Sequence, residues 1–267
     1  MRTIRLDLEY DGTHYAGWQR QKERPTVQQV IEDGLSRIAD ERVVLFAASR
    51  TDRGVHARHQ VASFSLYRST TPAAAFFSGA PSVLPPDVRL RRVLETHASF
   101  HANRDVLFKT YRYFLIQGRP SSVFFRHHAW TVPGALDFPR MEVAARALTG
   151  EHDFSAFRTG EAMTRTPVRH VRSIRFGRGQ GRVRWIDISA DGFLRQMVRN
   201  LVGLLVDVGR GNQDPGFAGR VLASKDRAQS SAAAPAHGLF LWRVAYGKAP
   251  VNPTPPVRTG FFRPFRV

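Results

Sequence analysis

Apolar residues in the first half of the chain recur at the spacings of strands and of one amphipathic helix. Residues 3–10 alternate apolar with polar side chains, which predicts a strand with one buried face. Thr26 and Gln29 form a capping-box pattern ahead of a helix that the apolar period extends to about Asp40. Strands are further predicted over 43–48, 60–67 and 88–94, and a helix over 72–77.

The second half of the chain shows the same mixture of patterns. A long strand is predicted over 107–116, where Lys109, Tyr111 and Tyr113 share one face opposite an apolar face. The remaining predicted elements are helices over 137–148, 193–208 and 217–223 and strands over 171–176, 183–189 and 239–246.

These elements predict an α+β protein made of two α/β halves, with mainly antiparallel mixed sheets flanked by helices. The halves are expected to face each other across a basic central cleft. The first domain, residues 1–104, carries a loop with a lone aspartate, and the second, residues 105–248, completes the cleft. Residues 249–267 contain five prolines and three arginines and are expected to form a loosely held tail.

The charge balance is the most informative feature of the composition. The 267 residues include 40 Lys and Arg against 22 Asp and Glu, a net charge of +18 with His neutral. This cationic excess predicts a polyanionic partner, by default RNA or DNA, whose binding weakens as salt is added. Net charge alone identifies neither the nucleic acid nor the reaction.

Cysteine is absent from the sequence, which excludes disulfides, thiolate metal sites and cysteine nucleophiles. No apolar run is long enough to span a membrane, and the first residues do not resemble the apolar core of a signal peptide. The chain is therefore expected to be cytoplasmic, with no membrane partner.

A single carboxylate, Asp52, lies among cations in the loop between predicted strands 43–48 and 60–67. Gly54 can supply the backbone angle of a tight turn, and a loop after a buried strand is a common place for catalytic groups. The same pattern fits an aspartate that only caps a turn or pairs with arginine. The cations of this loop are Arg50, Arg53, His56, Arg58 and His59.

Two arginines, Arg195 and Arg199, lie four residues apart on one flank of predicted helix 193–208. Such a flank can bind phosphates from solvent. Arg199 follows Met197 in an apolar stretch, where an arginine needs a buried partner, and Asp52 is the candidate.

Ten histidines raise the question of a metal site. The pairs His56/His59 and His127/His128 lack both metal-ligand spacing and nearby acidic partners. No metal is therefore predicted.

Ten short motifs follow the order found in the tRNA pseudouridine synthase A family, which the chain resembles up to about residue 247. Each motif alone is weak, but ten in the right order are specific. They are Glu9–Gly12, Gly17–Gln21, Val27–Gln28, Arg50–Ala57, Phe100–Ala102, Tyr111–Tyr113, Asp153–Phe157, Arg165–Arg169, Phe193 with Met197–Asn200, and Ala236–Leu239.

The resemblance implies isomerisation of uridine to pseudouridine at positions 38, 39 and 40 of the tRNA anticodon arm. It also implies the pseudouridine synthase fold, a homodimer, and chemistry that needs neither cofactor nor metal. Asp52 would be the catalytic nucleophile, acting on the ribosyl carbon or through the sugar, with Arg199 as its ion-pair partner. Tyr111 would stack on the target uracil and is a candidate for proton transfer.

The remaining candidates concern substrate binding. By resemblance, Arg50 would help to evict the base from the RNA helix, and Leu239 would pack against the uracil. Further candidate substrate-binding residues are Arg53, His56, Arg165 and Arg169.

The chain departs from the family pattern at three places. Ser49 stands where glycine is usual, and Arg53 where alanine or lysine is commoner. Residues 80–86 lack the asparagine often found before the leucine–proline pair. None of these removes a catalytic candidate, although Ser49 could tighten the turn before Asp52 or shift Arg50.

Two other functions stay open from the residues alone. A noncatalytic tRNA-binding or RNA-folding module would use the charge but not Asp52, so its binding would survive Asp52→Asn. A metal-dependent nuclease would need a second metal-binding carboxylate near Asp52, which the local sequence lacks. The isomerase ranks first, and which tRNAs and positions it uses stays open, as does the order of chemical steps.

Overall fold

The computed structural model describes residues 1–119, 122–160 and 166–247, and its strands in these ranges form one mixed sheet. The predicted tail at 249–267 lies outside the described residues. The strands are β1 Arg2–Tyr10, β2 Phe46–Ala47, β3 His56–Leu66, β4 Val88–Thr96, β5 Val106–Gln117, β6 Trp130–Val132, β7 Gly150–Asp153, β8 Val168–Arg178, β9 Val183–Ala190 and β10 Leu239–Tyr246. The helices are α1 Val27–Ala39, α2 Ala73–Val83, α3 Phe138–Arg146, α4 Met197–Gly209 and α5 Phe217–Ser224.

The sheet runs in the order β4-β1-β3-β10-β5-β9-β8-β7, with β2 added to β3 and β6 to β5. Its pairs are antiparallel except β10 with β3 and β5 with β6. β10 pairs with β3 on one edge and with β5 on the other, so the backbone groups on both of its edges have partners in the sheet. The α+β class is confirmed, and the strands of both predicted halves share one sheet. The domain boundary at residue 104 stays a prediction.

Several elements differ from the sequence prediction. The helix predicted over 193–208 begins only at Met197, so Arg195 precedes it and does not share a helical flank with Arg199. The short strands β6 and β7 were not predicted. The strand predicted over 43–48 is regular only at Phe46–Ala47, and Val44 and Phe46 are exposed on its outer side. The helix predicted over 72–77 continues through Pro81 to Val83. Within the described residues, no helix is long and apolar enough to cross a membrane.

The buried face of the sheet carries the side chains that matter for the site. In β5, Tyr111 lies opposite Leu241 of β10, and Tyr113 lies opposite Leu239, so these four side chains point to the same face. All four belong to the main hydrophobic core, which includes the nearly fully buried helix α4. The core therefore fixes the strand that bears Tyr111 against the helix that bears Arg199.

Candidate active site

The Asp52 loop connects β2 to β3 and is tied to the segment between β1 and α1. The backbone N–H of Trp18 donates to the carbonyl of Thr51 at 3.0 Å, and the Tyr10 hydroxyl lies 2.8 Å from the Thr51 hydroxyl. After Asp52, the N–H of Val55 donates back to the Asp52 carbonyl at 3.1 Å and closes a turn. These contacts hold the loop from two sides and fix the direction of the Asp52 side chain.

Gly17 lets the backbone of its segment lie very close to the backbone of the Asp52 loop. Its φ is +105°, and a Cβ placed on it would lie 2.6 Å from the carbonyl oxygen of Thr51. A side chain here would therefore push the Asp52 loop away.

We expect Gly17→Ala to lower the free energy of unfolding by at least about 2 kcal/mol, from backbone strain together with the collision. Urea unfolding measures this loss. Gly134→Ala is the matched control, because Gly134 also has a left-handed φ, +81°, but its Cβ would meet no described atom within 4 Å. Equal losses in the two variants would mean that the contact with Thr51 contributes nothing.

The structure brings Asp52 and Arg199 together from opposite halves of the chain. Arg199 Nη1 lies 3.8 Å from Asp52 Oδ2, and the two side chains are 17% and 29% exposed. The guanidinium is aimed by a second contact, since Arg199 Nε donates to the carbonyl of Ala234 at 2.8 Å. The Ala234 N–H donates in return to the Arg199 carbonyl at 3.0 Å, which anchors this segment to α4. The predicted pairing thus has the geometry of a partly buried charge pair open to solvent.

Burial raises the pKa of Asp52 above its usual value, and the positive charges of Arg199 and Arg195 oppose this only in part. The pairing of Asp52 with Arg199 therefore accounts for the smaller, opposing effect, and the removal of the carboxylate from water is the larger one. Arg195, which is exposed, was not among the predicted site residues.

Tyr111 projects from β5 beside the Asp52 loop. Its ring is 5% exposed and meets Phe193 edge to face, with 5.2 Å between ring centres. Its hydroxyl lies 2.8 Å from the Ser49 hydroxyl. Burial raises the pKa of the phenol, as does the nearby charge of Asp52, so Tyr111 is protonated at neutral pH.

The other predicted binding residues differ in how far they are exposed to solvent. Arg50 and Arg53 flank Asp52 and are exposed, so both can reach a ligand. Leu239 is buried at the start of β10. Arg169, half-buried on β8, donates to the carbonyl of Thr166 at 2.9 Å. Arg165 lies outside the described residues.

His56 is only 1% exposed, and its role in substrate binding stays a prediction. Its Nδ1 lies 3.0 Å from a carboxylate oxygen of Asp11, and its ring stacks on Phe240. The other Asp11 oxygen is 2.8 Å from His128 Nε2. The reasoning that these histidines lack acidic partners was therefore wrong, since the fold brings Asp11 to both.

Asp11, His56 and His128 have the composition of a metal site, and their ligand atoms all lie within 4.8 Å of one another. His128 Nε2 and Asp11 are hydrogen-bonded at 2.8 Å, and the N–H of Gly12 donates to His56 Nδ1 at 3.0 Å. The three side chains thus fit a hydrogen-bonded cluster that joins distant segments. The absence of a functional metal stays a prediction.

Basic groups continue outward from the Asp52 site. A concavity beside Gln196, the residue before α4, is lined by Arg158, Lys225 and Arg227. Lys109, two residues before Tyr111 on the same face of β5, has its pKa lowered to about 8 by burial and by the charge of Arg169. Sequence patterns did not single out the concavity, because its cations come from segments that are far apart in the chain.

Comparison with known proteins tests the family resemblance independently of the structure. The family model described as tRNA pseudouridine synthase matches residues 8–77 and 144–247. Proteins named tRNA pseudouridine synthase A from Pelobacter propionicus and Geobacter sulfurreducens are each 42% identical over 246 residues, covering 92% of this chain and all of theirs. A relative of the same name from a Shewanella strain is 41% identical over 243 residues, 91% of this chain and 92% of its own.

Among solved structures, an archaeal box H/ACA sRNP Nop10–Cbf5 complex gives a TM-score of 0.34 at 14% identity, covering 76% of this chain and 44% of that one. This likeness is too low for any conclusion to rest on it. The family model and the full-length relatives are sufficient without it. The chain belongs to the tRNA pseudouridine synthase family.

Proposed function

We propose that this protein isomerises uridine to pseudouridine in the anticodon stem and loop of tRNA, at positions 38, 39 and 40, with Asp52 as the catalytic residue. The observation that carries the proposal is the partly buried Asp52 carboxylate, which faces Arg199 and lies beside the Tyr111 ring. Relatives that match 92% of this chain are named tRNA pseudouridine synthase A, which supports the proposal.

The reaction breaks the C1′–N1 bond of uridine and joins C1′ to C5 of the same uracil. The detached base rotates, C5 loses its proton, and N1 gains one, so atoms and electrons balance without a cofactor. A carboxylate suits this task, because it can act on the ribosyl carbon as in glycosidases, or through the sugar. One acid suffices, since the leaving base stays bound and becomes the attacking group.

This chemistry suggests a role for each of the residues around Asp52. The target base must leave the stack, which costs about a few kcal/mol. Stacking on Tyr111 offsets part of that cost, with Leu239 against the uracil and the exposed Arg50 helping to evict the base. Arg199 fixes the direction of the carboxylate and favours its ionised form against the effect of burial.

The cations around the site suit an RNA backbone. We infer that the exposed Arg53, the half-buried Arg169 and the concavity of Arg158, Lys225 and Arg227 contact phosphates near the target. Together with the net charge of +18, they support RNA rather than a small-molecule substrate. We also propose, from the family resemblance, that the protein acts as a homodimer in the cytoplasm.

Lys109 makes this electrostatic account testable by pH. Because its pKa is lowered to about 8, the amine loses its charge as pH rises from 7 to 9. We expect the Kd for tRNA to rise about fivefold over this range at constant salt, as one cationic contact is lost. Lys109→Arg should remove most of the change, since arginine stays charged. Filter binding at both pH values measures it, and an equal rise in Lys109→Arg would place the titrating group elsewhere.

The proposal is tested by mapping pseudouridine on defined substrates. Unmodified tRNA transcripts with uridine at positions 38, 39 and 40 are incubated with the protein, and carbodiimide labelling with primer extension locates the product. A matched transcript carries cytidine at these three positions. Modification at 38–40 in the first and none in the second is expected. Product only at other positions would overturn the assignment of the target, and tight binding without any product would favour a binding module.

A further inference from the structure

Ser49 provides a contact to the site that its position in the sequence does not reveal. It lies three residues before Asp52, and its Oγ is 2.8 Å from the phenolic oxygen of Tyr111. This distance is typical of a hydrogen bond between hydroxyl groups. The contact joins the loop that carries Asp52 to the strand that carries Tyr111.

The Ser49 backbone is held on both sides by one buried side chain. The amide of Gln60, which is fully buried on β3, donates to the Ser49 carbonyl at 2.7 Å. The Gln60 carbonyl oxygen accepts from the Ser49 N–H at 3.3 Å. Because these two hydrogen bonds hold the Ser49 backbone, its hydroxyl can change position only by rotation about the Cα–Cβ bond. The backbone of Ser49 is therefore held next to Tyr111, within reach of the phenol.

Several of the other neighbours of Tyr111 are apolar, although the Asp52 carboxylate also lies close enough to raise the pKa of the phenol. Phe193 meets its ring edge to face, and its cross-strand neighbours are Leu241 and Ile188. A buried phenol without a polar partner is costly, because it has lost its hydrogen bonds to water. Among the residues that the structure describes, Ser49 is the hydrogen-bond partner of this phenol.

We propose that Ser49 is a positioning residue, whose hydroxyl holds the Tyr111 phenol in the orientation that uridine isomerisation requires. This inference rests on the proposed function and adds to it a residue that acts through Tyr111.

The experiment compares Ser49→Ala, Ser49→Thr, Tyr111→Phe and the double variant Ser49→Ala/Tyr111→Phe in single-turnover reactions with a tRNA labelled with tritium at C5. We expect Ser49→Ala to lower the rate about fivefold to tenfold, the effect of losing one hydrogen bond in the site, with an unchanged Kd for tRNA. Ser49→Thr keeps a hydroxyl and should restore most of the rate. In the Tyr111→Phe background, Ser49→Ala should have no further effect, because the phenol is already absent.

The urea unfolding midpoints of Ser49→Ala, Tyr111→Phe and the double variant are also measured. Coupling between the two residues can then be determined even if Tyr111→Phe has no measurable turnover. The proposal is supported if the effects of the two substitutions are coupled and if Ser49→Thr keeps most of the rate that Ser49→Ala loses. Additive effects on both measures, a loss confined to Kd, or no rate loss in Ser49→Ala would overturn it. If the unsubstituted protein releases no tritium, the proposed function itself fails, and any coupling in the unfolding cycle then reports only a structural contact.

Discussion

Replacing Asp52 with asparagine is expected to reduce the rate of pseudouridine formation by at least about 10⁴-fold, as in other enzymes that lose a nucleophile. The amide has nearly the shape of the carboxylate but cannot become an anion. It therefore cannot attack or deprotonate the sugar, and it makes no charge pair with Arg199, which lies 3.8 Å away. Single-turnover release of tritium from C5-labelled tRNA measures the rate.

The fold and the affinity of this variant provide the control. Asp52 is 29% exposed and its side chain supports no element of the core, so we expect Asp52→Asn to unfold within a few degrees of the unsubstituted protein. Its Kd for tRNA should be equal or slightly lower, since one negative charge near the phosphates has been removed. A variant that keeps its rate would show that Asp52 is only a turn or ion-pair residue.

Replacing Arg199 with glutamine is expected to lower the rate at pH 7 by about 10- to 100-fold, because a charge that orients the reacting group is lost. It should also move the acid limb of the pH–rate profile to higher pH. Burial raises the pKa of Asp52 and Arg199 lowers it. Without the arginine the pKa rises further, so less of the carboxylate is ionised at a given pH and the rate falls at a higher pH than before.

Arg195→Gln is the matched control for this prediction. Arg195 also lowers the pKa of Asp52, but by less than Arg199, and its side chain is exposed. Its acid limb should therefore shift in the same direction by a smaller amount, with little loss of rate at the plateau. An acid limb that stays in place in Arg199→Gln would mean that the ionisation of Asp52 does not control the rate.

Much of the fold could be predicted from local patterns. The alternation over 3–10 became β1. The capping-box pattern of Thr26 and Gln29 placed the start of α1, where the Thr26 side chain accepts from the N–H of Gln29. Pairing between distant strands could not be predicted in this way. The parallel contact of β10 with β3 joins segments about 180 residues apart, which no local pattern specifies.

The same distinction between local patterns and long-range contacts applies to the site. Residue types and motif order were sufficient to pair Asp52 with Arg199, because an arginine in an apolar helix needs a partner. The net direction of the Asp52 pKa shift depends on burial, which no local pattern measures. The contact of Ser49 with Tyr111 and the approach of Asp11 to His56 join residues that are far apart in sequence, so only the folded chain shows them.

The most direct test of the central claim is release of tritium into water from an anticodon-arm tRNA labelled at C5 of uracil, with and without a metal chelator. Forming the C1′–C5 bond expels this label, so release reports isomerisation itself. The account predicts release by the unsubstituted protein that chelator does not affect, and none by Asp52→Asn. No release from a tRNA that the protein binds tightly, or release that chelator abolishes, would contradict it.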